Sequence, residues 1–139
     1  MKQTTIREGI KHLLSTEPGF KNFVPHEKIE LFLRPAGFEG ICALVIEQQI
    51  SVAAANSIKK RVFGLMKKVN AREFLKLKDD MIRNAGLSRP KINYLKGVAE
   101  KEVNGQFNFE HLEKLNDKDA HDYLCQLKGI GSWTADCYL

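Results

Sequence analysis

Near the end of the chain, Gly129-Ile130-Gly131-Ser132 sets two glycines around one apolar residue, just ahead of a helical pattern. Glycine tolerates positive φ and lets another backbone come close. A helix starting at Ser132 would offer free N–H groups and a partial positive charge at the same point. A phosphate can dock there without any charged side chain; the plain alternative is a helix–helix turn with no ligand. Further back, Gln48 and Gln49 stand between two helical patterns, directly before Ser51, which is suited to capping the second of them. Lys59, Lys60, Arg61, Lys67 and Lys68 fall in a stretch with no acidic residue between Gln48 and Arg72. They suit phosphate contact or simply a solvated helix face. Arg89 and Lys91 lie beside another helix start.

Metal and redox chemistry find little support. His12, His26, His111 and His121 show no ligand spacing. Cys42, Cys125 and Cys137 contain no C-x-x-C pair and are too scattered for a disulfide framework. Buried, reduced thiols of a cytosolic protein are expected instead. No signal-peptide pattern opens the chain, and no apolar run nears the ~18 residues that cross a bilayer. With 139 residues the chain is one domain or a large part of one, and 43% hydrophobic with 28% charged residues is a soluble composition. A net charge of +5 and a pI near 9.1 favour a polyanionic partner without identifying it.

The elements that must position these residues are helical throughout. Thr5 and Glu8 fit a capping box ahead of an apolar face of Ile6, Ile10, Leu13 and Leu14, ended by Pro18-Gly19. Residues 20–40 look irregular, with one short apolar piece at 29–33. A core helix is expected at 38–49, and a long one at 52–69 striped by Val52, Ala55, Ile58, Val62, Leu65 and Val69. Short helices should cover 71–77 and 79–85. Ser88 should cap 89–103, with Pro90 in its first turn. Residues 109–115 and 118–127, the latter capped by Asn116 or Asp117, complete the set before the glycine turn. With no sustained period-two alternation, the expected fold is all-α: a lead-in at 1–37 and a multi-helix domain at 38–139.

Four pieces, in order, carry a family resemblance. They are Phe38-Glu39 leading to Glu47-Gln48-Gln49-Ile50-Ser51-Val52-Ala53-Ala54-Ala55; the basic helix ending near Arg61; Gly86-Leu87-Ser88-Arg89-Pro90-Lys91-Ile92-Asn93-Tyr94-Leu95; and Leu127-Lys128-Gly129-Ile130-Gly131-Ser132-Trp133-Thr134-Ala135. Together they resemble the helix-hairpin-helix (HhH-GPD) DNA glycosylase superfamily, within it the bacterial DNA-3-methyladenine glycosylase II branch. The resemblance implies base-excision repair: a damaged base is flipped from the duplex and its bond to the sugar hydrolysed. It implies double-stranded DNA with alkylated bases as the partner, no membrane, a monomer, and a place at the bacterial nucleoid in the cytoplasm.

Residue roles follow from the same resemblance. Gln49 matches the wedge that fills the gap left by the flipped base, with Gln48 beside it; solvated loop glutamines are the alternative. Ser51, Arg89, Lys91, Gly129, Ile130, Gly131, Ser132 and Thr134 fall at DNA-binding positions. The carbonyls of Cys125, Leu127 and Ile130 match those that hold a Na+ or K+ when DNA is bound; no cofactor is implied for catalysis. Lyase-type relatives carry a lysine where this chain has Trp133, so tryptophan implies a monofunctional, water-using hydrolase. Trp133 would form an aromatic wall for an electron-poor alkylated base, or pack in the core.

The family's catalytic aspartate follows the hairpin's second helix, beyond a loop, and is expected after Leu139. The chain is therefore expected to be truncated before it and inactive as it stands. Asp136 is expected to be an acid serving the helix dipole rather than a substitute. The iron–sulfur cysteines of the endonuclease III branch are not visible, and their place would also lie past Leu139. The rival expectation is a non-catalytic DNA-binding fragment or relic, whose last helix lacks packing partners.

Overall fold

The computed structural model describes residues 3–23 and 33–139. The chain divides into two compact units, Met1–Leu33 and Arg34–Leu139. Every regular element among the described residues is helical, so the expected all-α array is what forms.

In the first unit, α1 spans Gln3–Thr16. It starts two residues before Thr5, which therefore sits inside the helix and cannot be the cap, a position that needs non-helical backbone. Ile6, Ile10 and Leu14 are half-buried along one side. Pro18 follows and opens a 3₁₀ turn, Pro18–Asn22, which runs into the stretch expected to be irregular from residue 20. The apolar piece expected at 29–33 lies, apart from Leu33, outside the described residues.

The second unit contains α2 (Gly37–Glu47), α3 (Val52–Phe63), α4 (Ala71–Lys76), α5 (Asp79–Asn84), α6 (Arg89–Val103), α7 (Phe109–Leu112), α8 (Asp117–Cys125) and α9 (Ser132–Tyr138). The core is built around α2. Phe38 and every residue from Gly40 to Ile46 are buried, so the helix has no solvent face, as its near-continuous apolar sequence demands. Each fully buried Ile, Leu or Val contributes roughly 1.5–3 kcal/mol. Helices α3, α6, α7 and α9 pack against it. Cys42 is fully buried within it, and burial, with Glu39 alongside, pushes its thiol far above the ordinary range.

Most boundaries follow local chemistry. Ser51 caps α3 by accepting the Ala54 N–H, and Asn70 caps α4 by accepting the Glu73 N–H at 2.9 Å. Asn116, not Asp117, caps α8, accepting the Asp119 N–H at 3.0 Å. The long helix expected at 52–69 stops at Phe63. Past Gly64 the chain tightens, with Leu65 N–H donating to Val62 O at 3.2 Å and Met66 N–H to Phe63 O at 3.1 Å. These short-range bonds turn Met66 into the core and leave Lys67 and Lys68 exposed on a loop. From Ala55 onward the apolar stripe is satisfied by this turn as well as by a helix, which is why periodicity alone overran the end; Val52, counted in the stripe, is exposed instead.

The last helix has the partners that the rival relic reading denied it: α9 packs on α2 and α8, with Thr134 and Ala135 buried. Its far end is tied to the start of α2. The Gly37 N–H, an orphan donor of the helix start, donates to the Tyr138 hydroxyl at 2.7 Å. Burial, partly offset by this backbone bond, pushes the Tyr138 pKa up to about 12, so the phenol stays neutral at physiological pH. Tyr138→Phe should lower stability by about 1–2 kcal/mol, because the Gly37 amide loses its acceptor; urea denaturation measures this, and an unchanged midpoint would show that the bond contributes nothing.

Candidate functional site

The glycine turn joins α8 to α9. Leu127 N–H donates to Leu124 O and Ile130 N–H to Leu127 O, each at 3.0 Å, so the chain reverses in two tight steps. Between them Gly129 has φ +89, and a Cβ there would fall 2.4 Å from the Tyr94 ring. Both backbone sign and close approach to α6 require glycine. Ile130 is buried and anchors the turn in the core.

Gly131 differs in kind. It is extended, with φ −93 and ψ 175, and a Cβ there would meet nothing within 4 Å. Nothing within the chain requires glycine at this position. It is the N-cap of α9, and the amides that open a helix have no intrahelical acceptor. Ser132 and Trp133 follow, both exposed; Trp133 keeps 67% of its surface open to solvent. Trp133 therefore does not pack into the core formed by the described residues. Thr134, by contrast, is buried, so of its DNA-facing assignment only the backbone amide remains.

Across from the hairpin lies the α2–α3 turn, where the two glutamines part. Gln48 points inward, its Nε2 donating to Gly129 O and to Thr134 Oγ1, each at 3.1 Å. Gln49 is exposed and sits at φ 57, the only left-handed residue other than glycine among those described. That conformation costs about 1–3 kcal/mol for such a residue and marks a place where the surroundings dictate the backbone. Lys91 helps to dictate it. Its Nζ donates to Ile46 O at 2.8 Å and Gln48 O at 2.6 Å, satisfying the C-terminus of α2. Burial lowers the Lys91 pKa from its ordinary value. A shallow hollow of about 190 Å³ lies beside the turn, lined in part by Ile50, Ile58, Leu87 and Ser88.

The other candidates are scattered. Arg89 is exposed at the start of α6. Lys59 pairs with Glu47 at 3.2 Å, and Arg61 donates to Ala85 O at 2.9 Å and Ser57 Oγ at 2.7 Å. Both cations thus have partners within the chain. Asp136 is exposed, one turn into α9 rather than in its first turn as expected, 3.6 Å from His121 Nε2. The same imidazole nitrogen lies 2.9 Å from Ser132 Oγ. Nothing in the sequence singled out His121 for this place, because the contact joins two helices across the hairpin.

Apart from Asp136, this arrangement falls within one family match: residues 42–134 match the HhH-GPD superfamily base excision DNA repair protein family. The chain belongs to the HhH-GPD superfamily. The chain is 32% identical over 117 residues to the DNA-3-methyladenine glycosylase of Bacillus subtilis, covering 76% of this chain and 39% of that protein. It superposes on the DNA-3-methyladenine glycosidase of Bacillus halodurans with a TM-score of 0.81 at 28% identity, covering 93% of this chain and 61% of that one. For the 3-methyladenine DNA glycosylase of Schizosaccharomyces pombe, solved with abasic DNA, the TM-score is 0.74 at 26% identity, covering 86% and 60%. The HhH-GPD chain thus spans less than two-thirds of each of these relatives.

Two classes of chemistry bear on the described residues of this HhH-GPD chain. No group of three or more His, Cys, Asp or Glu is arranged to hold a metal ion. No helix is long and apolar enough to cross a membrane. At the hairpin the carbonyl of Leu127 accepts a hydrogen bond from the Ile130 N–H.

Lys91→Met should cost about 1–3 kcal/mol, since it leaves the carbonyls of Ile46 and Gln48 unmet in a half-buried place. The pH dependence has a sign. With the folded pKa lowered, the unfolded chain holds more of this proton as pH enters the alkaline range, so the lysine's contribution to stability rises with pH there. Denaturation of wild type and Lys91→Met along an alkaline series should show that relative rise in wild type alone; parallel curves would remove it.

Proposed function

We propose that this chain is the DNA-engaging part of a base-excision glycosylase that hydrolyses the N-glycosidic bond of alkylated purines, of the 3-methyladenine type, after flipping the base. The observation that carries the proposal is Gly131: a glycine that the chain itself does not need, at an open helix start. It lets a DNA backbone approach the amides of Gly131, Ser132, Trp133 and Thr134, where phosphate is favoured. The carbonyls of Cys125, Leu127 and Ile130 are the groups that would hold a Na+ or K+ between hairpin and phosphate.

In this reading Gln49 is the wedge. Its exposed side chain on a fixed, strained turn can enter the space left by a flipped base, and a preformed wedge loses little freedom on entry. Exposed Trp133 stands as an aromatic wall. An alkylated purine carries positive charge on its ring, and stacking against indole would favour it over a neutral base. Trp133 cannot act as an amine nucleophile, so water is the attacking group. The three named relatives, each described as a 3-methyladenine enzyme, support the substrate class. The catalytic acid is given to no residue of this chain, and Asp136, held against His121, is not proposed for it.

Gly131→Val should weaken binding to any duplex at least tenfold while changing stability by less than about 1 kcal/mol, because its side chain has room in the free chain and none against a docked backbone. Unchanged affinity in a folded variant would sink the hairpin assignment. Trp133→Ala should reduce the preference for a duplex with an alkylated base or an abasic analogue more than it reduces binding to undamaged duplex. Fluorescence anisotropy on the three duplexes reads this directly, and equal losses on all of them would leave Trp133 no part in recognising damage.

A further inference from the structure

We propose that Gln48 is a positioning residue whose carboxamide couples the Gln49 turn to the hairpin, so that the two halves of the DNA-facing surface keep one geometry. The functional half of this statement rests on the reading above; the coupling itself does not.

The geometry forms a closed circuit. The Gln48 carbonyl is held by Lys91 of α6, and its side chain by Gly129 O and Thr134 Oγ1 of the hairpin and α9. Gly129 in turn rests on the ring of Tyr94, one turn along α6 from Lys91. Thus α6 holds the wedge turn at one point and the hairpin at another, and Gln48 closes the gap. The direction of the bond is fixed. A backbone carbonyl only accepts, so the nitrogen of the carboxamide must face Gly129. Neither glutamic acid as a carboxylate nor methionine, both close in size, can supply that donor. Thr134 is buried and its hydroxyl takes the second hydrogen, so a shift of the turn must disturb both the hairpin and the first turn of α9.

The consequence is mechanical. A wedge entering a duplex is pushed by the bases it separates, and phosphates grip the hairpin some distance along the strand. If the two are one body, entry at the lesion and grip on the backbone are set in register before DNA arrives. If they move independently, each must be ordered at binding, which weakens recognition.

Hydrogen exchange on the DNA-free chain tests the coupling. Gln48→Met and Gln48→Glu should speed exchange of the amides at 49–51 and at 129–131 together, by about fivefold or more. Thr134→Val, which removes one acceptor at constant size, should give a smaller rise in both segments and serves if Gln48 variants fold poorly. Acceleration confined to one segment, or to neither, overturns the coupling. In parallel, the ratio of affinities for abasic-analogue and undamaged duplexes should fall about fivefold in Gln48→Met. An unchanged ratio with both segments loosened overturns the positioning role and leaves Gln48 as structural only. A wild-type chain with no preference for the abasic duplex refutes the proposed function, while exchange still decides the coupling.

Discussion

Burying a helix on every side creates a problem at its ends, and α2 shows how this fold answers it. Its residues from Gly40 to Ile46 see no solvent, so its first N–H groups and last carbonyls cannot all rely on water. Side chains from other helices meet them. Tyr138 of α9 takes the Gly37 amide at one end, and Lys91 of α6 takes Ile46 O and Gln48 O at the other. These bonds do more than satisfy polar groups. They fix where α9 lies and how the chain leaves α2, and both the hairpin helix and the glutamine turn inherit their positions from them. The site is therefore a by-product of closing the core correctly.

The same economy shapes the electrostatics. The chain carries a net charge of +5, yet several cations that stand out in the sequence are engaged internally: Lys59 with Glu47, Arg61 with Ala85 O and Ser57, Lys91 with the end of α2. Under the proposed function, what the hairpin offers a polyanion is backbone amides and a helix start, beside the exposed Lys128. The amides are rigid and cannot swing to follow a misplaced phosphate. That places the demand on geometry, and it explains why the hairpin is pinned by a glycine that only one conformation and one neighbour allow, Gly129 against Tyr94.

Helical identity, the cap at Ser51 and the full span of α6 were legible because they rest on local chemistry: periodicity, a capping side chain, a proline in a first turn; Ser88 stands at the expected N-cap position but its side chain makes no capping bond. The end of α3 was not, since Met66 reaches the core through a tightened turn that keeps the same apolar spacing. The four motifs fall on α2, α3, α6 and the α8–α9 turn, all within the second unit. They could not separate residues that face outward from those that build the platform. Gln48 and Gln49 are adjacent and chemically identical, yet one bonds to residues more than eighty positions away and the other faces solvent. Thr134 is buried beside exposed Trp133. Such distinctions depend on which helix packs where, and no local pattern encodes them. Gly129 and Gly131 also look alike in sequence; only Tyr94 and the sign of φ tell them apart.

Gln49 makes the functional weight of this platform concrete. Glycine would adopt its left-handed backbone at no steric cost, yet the position carries a long polar side chain that costs about 1–3 kcal/mol there. A strained residue persists only where its neighbours leave no alternative, and here they are identifiable. Lys91 holds the carbonyl immediately before it, the Gln48 carboxamide anchors that same residue to the hairpin, and the Ser51 cap starts α3 two residues later. If only a turn were needed, glycine would serve better. A side chain at this spot makes sense when the side chain itself has a task, and under the proposed function an exposed amide on a preset turn suits one task well. It can enter a gap in a stacked duplex and offer hydrogen bonds there, without first having to find its shape.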